Sequence, residues 1–150
     1  MSAPTLAHMF QGKKTVSPGP GSAEPVPGKR FTLKVALWLL DSPRLGRKPR
    51  IKHLAGRLLK QPARQGVVVA QSRLGQMLCH ECGSARDRRM GHELLRQAAR
   101  SGDPQAQFEY GRLCADSPDL SPERARHWLE LAAAQGSPEA GPLLRRLFPD

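Results

Sequence analysis

"QAARSGDPQAQFEYGRLC" occupies residues 97–114. An Ala pair leads into a Gly-Asp-Pro break, and then Ala106 and Gly111 fall inside a stretch with helical apolar spacing. A Gly within a helix costs about 1 kcal/mol relative to Ala. Its presence therefore needs a packing reason. A related string, "LAAAQGSPEAGPLLRRL", returns at residues 131–147.

Sliding the chain on itself extends the match. At an offset of 36, Ala70, Gln71 and Gly75 lie over Ala106, Gln107 and Gly111. At an offset of 34, Leu95, Ala98, Ala99 and Gly102 lie over Leu129, Ala132, Ala133 and Gly136. Ala140 answers Ala70 and Ala106 a third time. A degenerate copy at 55–66 keeps Ala55, Leu58, Leu59, Ala63 and Gly66 in the same places. A period of this size marks a helical hairpin that cannot bury its apolar face alone, so that neighbours must stack. The small residues at fixed places let backbones approach closely. Leu74, Leu94, Tyr110 and Trp128 fill the volume between. An Ala-rich bundle with chance similarity is the competing reading, and matched Gly and Ala at a near-constant period argue against it.

The local signals agree. Asp103-Pro104, Ser121-Pro122 and Ser137-Pro138 each place a capping oxygen before a Pro at the first helical position. Ser84 with Asp87 resembles a capping box. Gly66, Gly102 and Gly136 follow helical runs, where a left-handed residue is wanted. The expected helices are approximately 32–41, 50–64, 69–79, 86–101, 104–115, 122–135 and 138–147, with a kink or an end at Pro62. "VVVA" at 67–70 is too short and isolated to build a sheet.

At these residues the chain resembles the Sel-one-like repeat family, relatives of the tetratricopeptide repeat. Ala70 with Leu74-Gly75, then Gly83, Asp87, Leu94, Ala98-Ala99 and Gly102, follow the family pattern. Ala106 with Tyr110-Gly111, then Ala125, Trp128, Ala132-Ala133 and Gly136, follow it again. The loops "CHECGSARD" and "ADSPDLSP" depart from it: the first lacks the usual first Gly, and the second is shorter and has none. The resemblance implies an all-α, right-handed short solenoid with two full repeats at 69–136. It also implies a non-catalytic adaptor or scaffold that holds a protein or peptide on the concave surface of its first (A) helices. Arg73, Gln76, Phe108, Glu109 and Arg112 are the A-helix residues expected to face that partner.

The flanks read differently. Residues 1–30 are rich in Pro, Gly and Ser, carry no apolar period and read as a disordered tail. Residues 31–68 read as N-terminal capping helices, the first apolar nearly all round, and 137–150 as a C-terminal cap. No basic segment leading into an apolar run opens the chain, and three cysteines do not make a disulfide framework. Both favour a cytoplasmic protein.

The formal net charge is +11. Residues 1–64 hold 13 Lys/Arg against 2 Asp/Glu, whereas residues 65–150 hold 11 of each. Within 43–64, eight basic residues occur with no acid. A helix there puts Arg50, His53, Arg57, Lys60 and Arg64 on one stripe, opposite Ile51, Leu54, Ala55, Leu58 and Leu59. Such a stripe is a solvated outer face, or it takes an acidic protein, a nucleic-acid backbone or an anionic membrane. Steep salt dependence would distinguish phosphate binding from protein binding.

Catalytic patterns are missing. There is no Gly-x-Ser-x-Gly, no phosphate-cradling loop and no His-Glu-x-x-His. His92-Glu93 reads as a solvated helical face. "CHEC" at 79–82 is half a zinc ligand set, which His80, His92 or Cys114 could complete, or a redox pair. Without a second pair or a thioredoxin-like surround, Cys79 and Cys82 read as small loop residues. No enzyme activity, metal or cofactor is therefore expected.

Overall fold

The computed structural model describes residues 27–81 and 83–150. These form seven helices: α1 (Pro27–Asp41), α2 (Pro49–Arg64), α3 (Val68–Glu81), α4 (Ala85–Arg100), α5 (Pro104–Asp116), α6 (Pro122–Ala134) and α7 (Ala140–Leu147). Consecutive helices pair as α1/α2, α3/α4 and α5/α6. The hairpins stack through α2 on α3 and α4 on α5, and α7 closes on α6. This is the expected all-α stack.

The break after the second (B) helix of each hairpin, α2, α4 and α6, has one chemistry. Gly66, Gly102 and Gly136 have φ of 82°, 93° and 88°, the left-handed region where a side chain is strained. The amides on either side close the turn: Gly102 N donates to Ala99 O at 3.0 Å and Asp103 N to Ala98 O at 3.1 Å. The same pair of bonds recurs at Gly66 and Gly136. Asp103 then starts the next helix, accepting from Ala106 N at 2.7 Å. Ser84 caps α4 through Arg86 N at 3.2 Å. Ser121 precedes α6, but its side chain makes no capping bond.

The glycines inside helices mark where A and B helices cross. A methyl group on Gly75 would stand 2.8 Å from Leu95 Cγ, and one on Gly91 would stand 2.9 Å from Gly75 O. The two helices of the first full repeat thus touch backbone to backbone. In the second repeat Gly111 lies against Leu129 instead. Gly56 is different. There a methyl would meet only the Met77 Cε, at 3.3 Å. Gly56→Ala is expected to leave stability unchanged or raise it by up to about 1 kcal/mol, the helix-propensity difference. Gly91→Ala is expected to lower it, and thermal melts of the two variants compare them directly.

Three apolar clusters follow the stack. Ala36, Leu59, Ala63, Ala70, Leu74 and Leu78 join α1, α2 and α3. Leu95, Ala98, Ala99 and Ala106 join α4 to α5. Phe108, Leu129, Ala132, Ala140 and Leu143 join α5, α6 and α7. Tyr110 and Trp128 meet edge to face at 5.7 Å beside the second cluster.

Several expectations are corrected. Helix α1 begins at Pro27 rather than near Phe31, so the last residues assigned to the tail are helical. Residues 1–26 lie outside the described residues. α1 buries only one face: Ala36 and Leu39 are buried, whereas Phe31 and Trp38 are 71% and 62% exposed. A terminal helix has one neighbour, so one stripe is all it can bury. Leu54, assigned to the apolar face of α2, is exposed. Helix α2 does not end at Pro62 but runs to Arg64. Pro62 sits in the last turn, where its missing N–H withdraws one donor, the one to the Leu58 carbonyl, and only two helical residues follow. Ser137-Pro138 does not open α7, which starts two residues later at Ala140.

Candidate interaction surface

Gln71 and Gln107, matched in the repeat, are both buried and hold the stack in register. Gln71 Nε2 donates to Ala63 O at 3.3 Å and Gln107 Nε2 to Ala99 O at 3.2 Å. Each satisfies a carbonyl in the last turn of the preceding B helix. Sequence reading marked both as repeat positions but gave them no role. No buried side-chain nitrogen or oxygen among the described residues lacks a partner.

With the A helices locked this way, α3 and α5 present one polar face. His80 of α3 lies 3.2 Å from the Glu109 carboxylate of α5. Arg112 lies 2.9 Å from the same carboxylate and 3.1 Å from His80 Nε2. Upstream, Arg73 bonds Asp41 at the end of α1 at 2.9 Å. Gln76 reaches Ser72 Oγ at 3.4 Å, and Ser72 donates to Asp103 at 2.8 Å. Val69, Ser72, Arg73, Gln76, Asp103 and Gln105 line a depression of about 470 Å³. Four of the five residues expected to face a partner, Arg73, Gln76, Glu109 and Arg112, therefore lie on α3 and α5 at this polar face. His80 links the two helices and was not foreseen as part of the surface.

Phe108 is the exception. Its side chain is only 7% exposed and packs in the core against Leu129, Ala132, Ala140 and Leu143. Phe108 joins α5 to Leu129 of α6 and to Ala140 and Leu143 of α7. It is a packing residue.

On α2, Arg50, His53, Arg57, Lys60 and Arg64 are all exposed, as the stripe requires. Lys52, outside the stripe, pairs with Glu81 of α3.

The remaining candidates for chemistry are dispersed. Glu93 accepts from Arg96 at 2.7 Å and from Gln97 at 2.9 Å, and these bonds hold its carboxyl down to about 2. Cys114 is buried, and burial pushes its thiol up. It therefore stays protonated at neutral pH and is a poor nucleophile or ligand. Cys82 lies outside the described residues. Among those described, no three His, Cys, Asp or Glu side chains gather to hold a metal.

His92 provides a pH test. Burial first, and Arg88 second, hold its imidazole below the usual 6.5. The unfolded chain then takes up the proton more readily than the folded one. Stability is expected to fall as pH drops through 6.5 and below, until the folded group also titrates. Melts across this range check it, and His92→Asn should flatten the dependence.

Comparison with known proteins places the stack. The Sel1 repeat family model matches twice, at residues 68–103 and 104–137. A crystal structure of a Sel1 repeat protein from Oxalobacter formigenes is similar over 79% of this chain and 88% of that one. Its TM-score is 0.61 and its sequence identity 27%. Among curated proteins no sequence matches. None of the described helices is long and apolar enough to cross a membrane. The hairpins α3/α4 and α5/α6, with their Gly turns and Gln locks, are two consecutive Sel1 repeats.

Proposed function

We propose that this protein is a non-catalytic adaptor that holds a partner protein against the α3/α5 face. Sel1 repeats generally mediate protein–protein interaction. The observation that carries the reading here is the His80–Glu109–Arg112 cluster. It fixes polar side chains from two successive A helices into one presented surface. Preorganised side chains lose little freedom on binding, which favours affinity. Arg73 and Gln76 extend the face along α3, and Arg73 is already held by Asp41.

The test is affinity capture with residues 27–150 as bait, wild type against Arg73→Glu/Arg112→Glu. A partner of this face should be depleted about tenfold or more by the double reversal, as expected when rim and hydrogen-bonded charges oppose their partners. The Arg145→Glu/Arg146→Glu control, on α7, should retain it. Equal capture by all three proteins would exclude the α3/α5 face.

A further inference from the structure

The repeat builds the same groove twice, and the two copies differ. Each groove runs along a B helix against the A helix that follows it. The second is lined on one side by Arg89, His92, Glu93 and Arg96 of α4, and on the other by Tyr110, Leu113, Cys114 and Ser117. Shifted back by 36 residues, these positions are His53, Gly56, Arg57 and Lys60 of α2, then Leu74, Met77, Leu78 and Glu81 of α3. All eight line the first groove. The second encloses about 180 Å³, the first about 470 Å³.

The substitutions explain the difference. Gly56 stands where His92 fills the second groove, and Leu74 stands where Tyr110 does. In the second groove Tyr110 is further backed by Trp128, at 5.7 Å. In the first, Leu94 holds the place of Trp128. The first groove is thus left open, with a floor of Leu74, Met77 and Leu78. Met77 is unbranched and polarisable, suited to reshaping around an inserted side chain.

Charge differs as well. In the second groove Glu93 pairs with Arg96 at 2.7 Å, which leaves Arg89 as its one cation without a carboxylate partner among the described residues. The equivalent pair in the first is Arg57 and Lys60, both positive. The helices run antiparallel, so Lys52 meets Glu81 at one end and Gly56 meets Met77 in the middle. Arg57 and Lys60 rim the other end. Among the described residues no carboxylate pairs with either of them. Arg47 lies at the opposite end, with Lys52, Glu81 and Asp87.

We propose that this groove binds an acidic peptide segment of a partner protein, with an apolar side chain on the Leu74–Met77–Leu78 floor and carboxylates against Arg57 and Lys60. A nucleic acid fits the groove less well. No Phe, Tyr or Trp lines it for base stacking, and Glu81 and Asp87 at its other end repel phosphates. A membrane surface has no use for an enclosed volume. The site is separate from the α3/α5 face, because it opens between α2 and α4.

The experiment is fluorescence anisotropy on the full chain with a fluorescein-labelled peptide of Glu and Leu, patterned so that one helical face is Leu. The same peptide with Gln for Glu, an all-Glu peptide, a single-stranded oligonucleotide and phosphatidylglycerol vesicles are compared. The Glu/Leu peptide is expected to bind at least about tenfold more tightly than either peptide control. Arg57→Glu/Lys60→Glu should weaken it about tenfold or more. Gly56→Leu projects into the groove and should abolish binding; its first side-chain atom meets only the Met77 Cε, at 3.3 Å, and helicity and melting temperature are measured beside it, with Arg57→Glu/Lys60→Glu as the variant that leaves the packing untouched. Arg145→Glu/Arg146→Glu makes the same charge change elsewhere and should bind as wild type. The proposal is overturned by absent binding up to roughly millimolar protein, or by equal affinity for the all-Glu peptide. Tighter binding to the oligonucleotide or the vesicles, or a Gly56→Leu protein that binds as wild type, overturns it equally.

Discussion

Gly111→Leu is expected to lower the melting temperature by several degrees, up to roughly 10 °C, against little change for its neighbour Arg112→Ala. The first atom of any side chain at Gly111 would lie 2.9 Å from Leu129 Cγ and 3.2 Å from the Leu129 backbone nitrogen. Leu129 is fully buried, so it has nowhere to retreat. A Leu there forces α5 and α6 apart. Overpacking of a tight core costs about 1–3 kcal/mol and more where backbone is struck. A domain of this length loses about 2–4 °C per kcal/mol. Arg112 is one residue on and partly exposed. Its removal deletes the bonds to Glu109 and His80, a partly exposed ion cluster. Such pairs contribute about 0–1 kcal/mol. Far-ultraviolet melts of both variants decide the matter, and midpoints within about 2 °C of each other would remove Gly111 as a packing contact.

This contrast also shows what the residues disclose. Gly75 and Gly111 were legible because each costs helix propensity and recurs at a fixed offset. Gly91 was not, because its counterparts Ala55 and Ala125 are not Gly. Only the structure shows that Gly75 and Gly91 form a backbone contact of their own. The left-handed turns at Gly66, Gly102 and Gly136 were legible for the same reason as the repeat. Phe108 misled because its position faces the next repeat: its counterpart Ser72 is buried too, bonded to Asp103, and against α7 the same place is filled by an aromatic ring. Trp38 and Phe31 misled the other way. A helix apolar all round suggests burial all round, but an end helix has one neighbour. The α3/α5 surface was legible as four exposed positions, whereas its organiser, His80, belongs to a loop motif read for its cysteines. The open groove beside α2 could not be read from either repeat alone. It emerges when Gly56 and Leu74 are set against His92 and Tyr110 in a structure that shows which positions line the same space.

Deleting residues 137–150 is expected to convert the protein into an aggregating or molten chain. Two repeats are fewer than the roughly three that stacked hairpins need for stability. The missing burial must therefore come from α1/α2 and α7. The closing helix places Ala140 and Leu143 in the core with Phe108, Leu129 and Ala132, and packs Leu144 and Phe148 beside them. Full burial of a Leu or Phe side chain contributes about 1.5–3 kcal/mol, so the helix supplies several kcal/mol. A domain has only about 5–15 kcal/mol in total. The surface it leaves is the Phe108–Leu129–Ala132 seam rather than the Trp128 side, because Trp128 faces Tyr110 and the preceding repeat. An uncovered seam of that kind at a solenoid end is a site for self-association, which is why terminal units carry a polar outer face. Here Arg145 and Arg146 supply it. Removing α1 should have the same effect at the other end, through Leu59, Ala63 and Leu74. Size-exclusion chromatography with light scattering on the 42–136 fragment tests both caps at once. A monomer that melts cooperatively at the full-length temperature would show that α2 and the two repeats stand without α1 or α7. In that case the exposed Trp38 and Phe31 of α1 would need another partner.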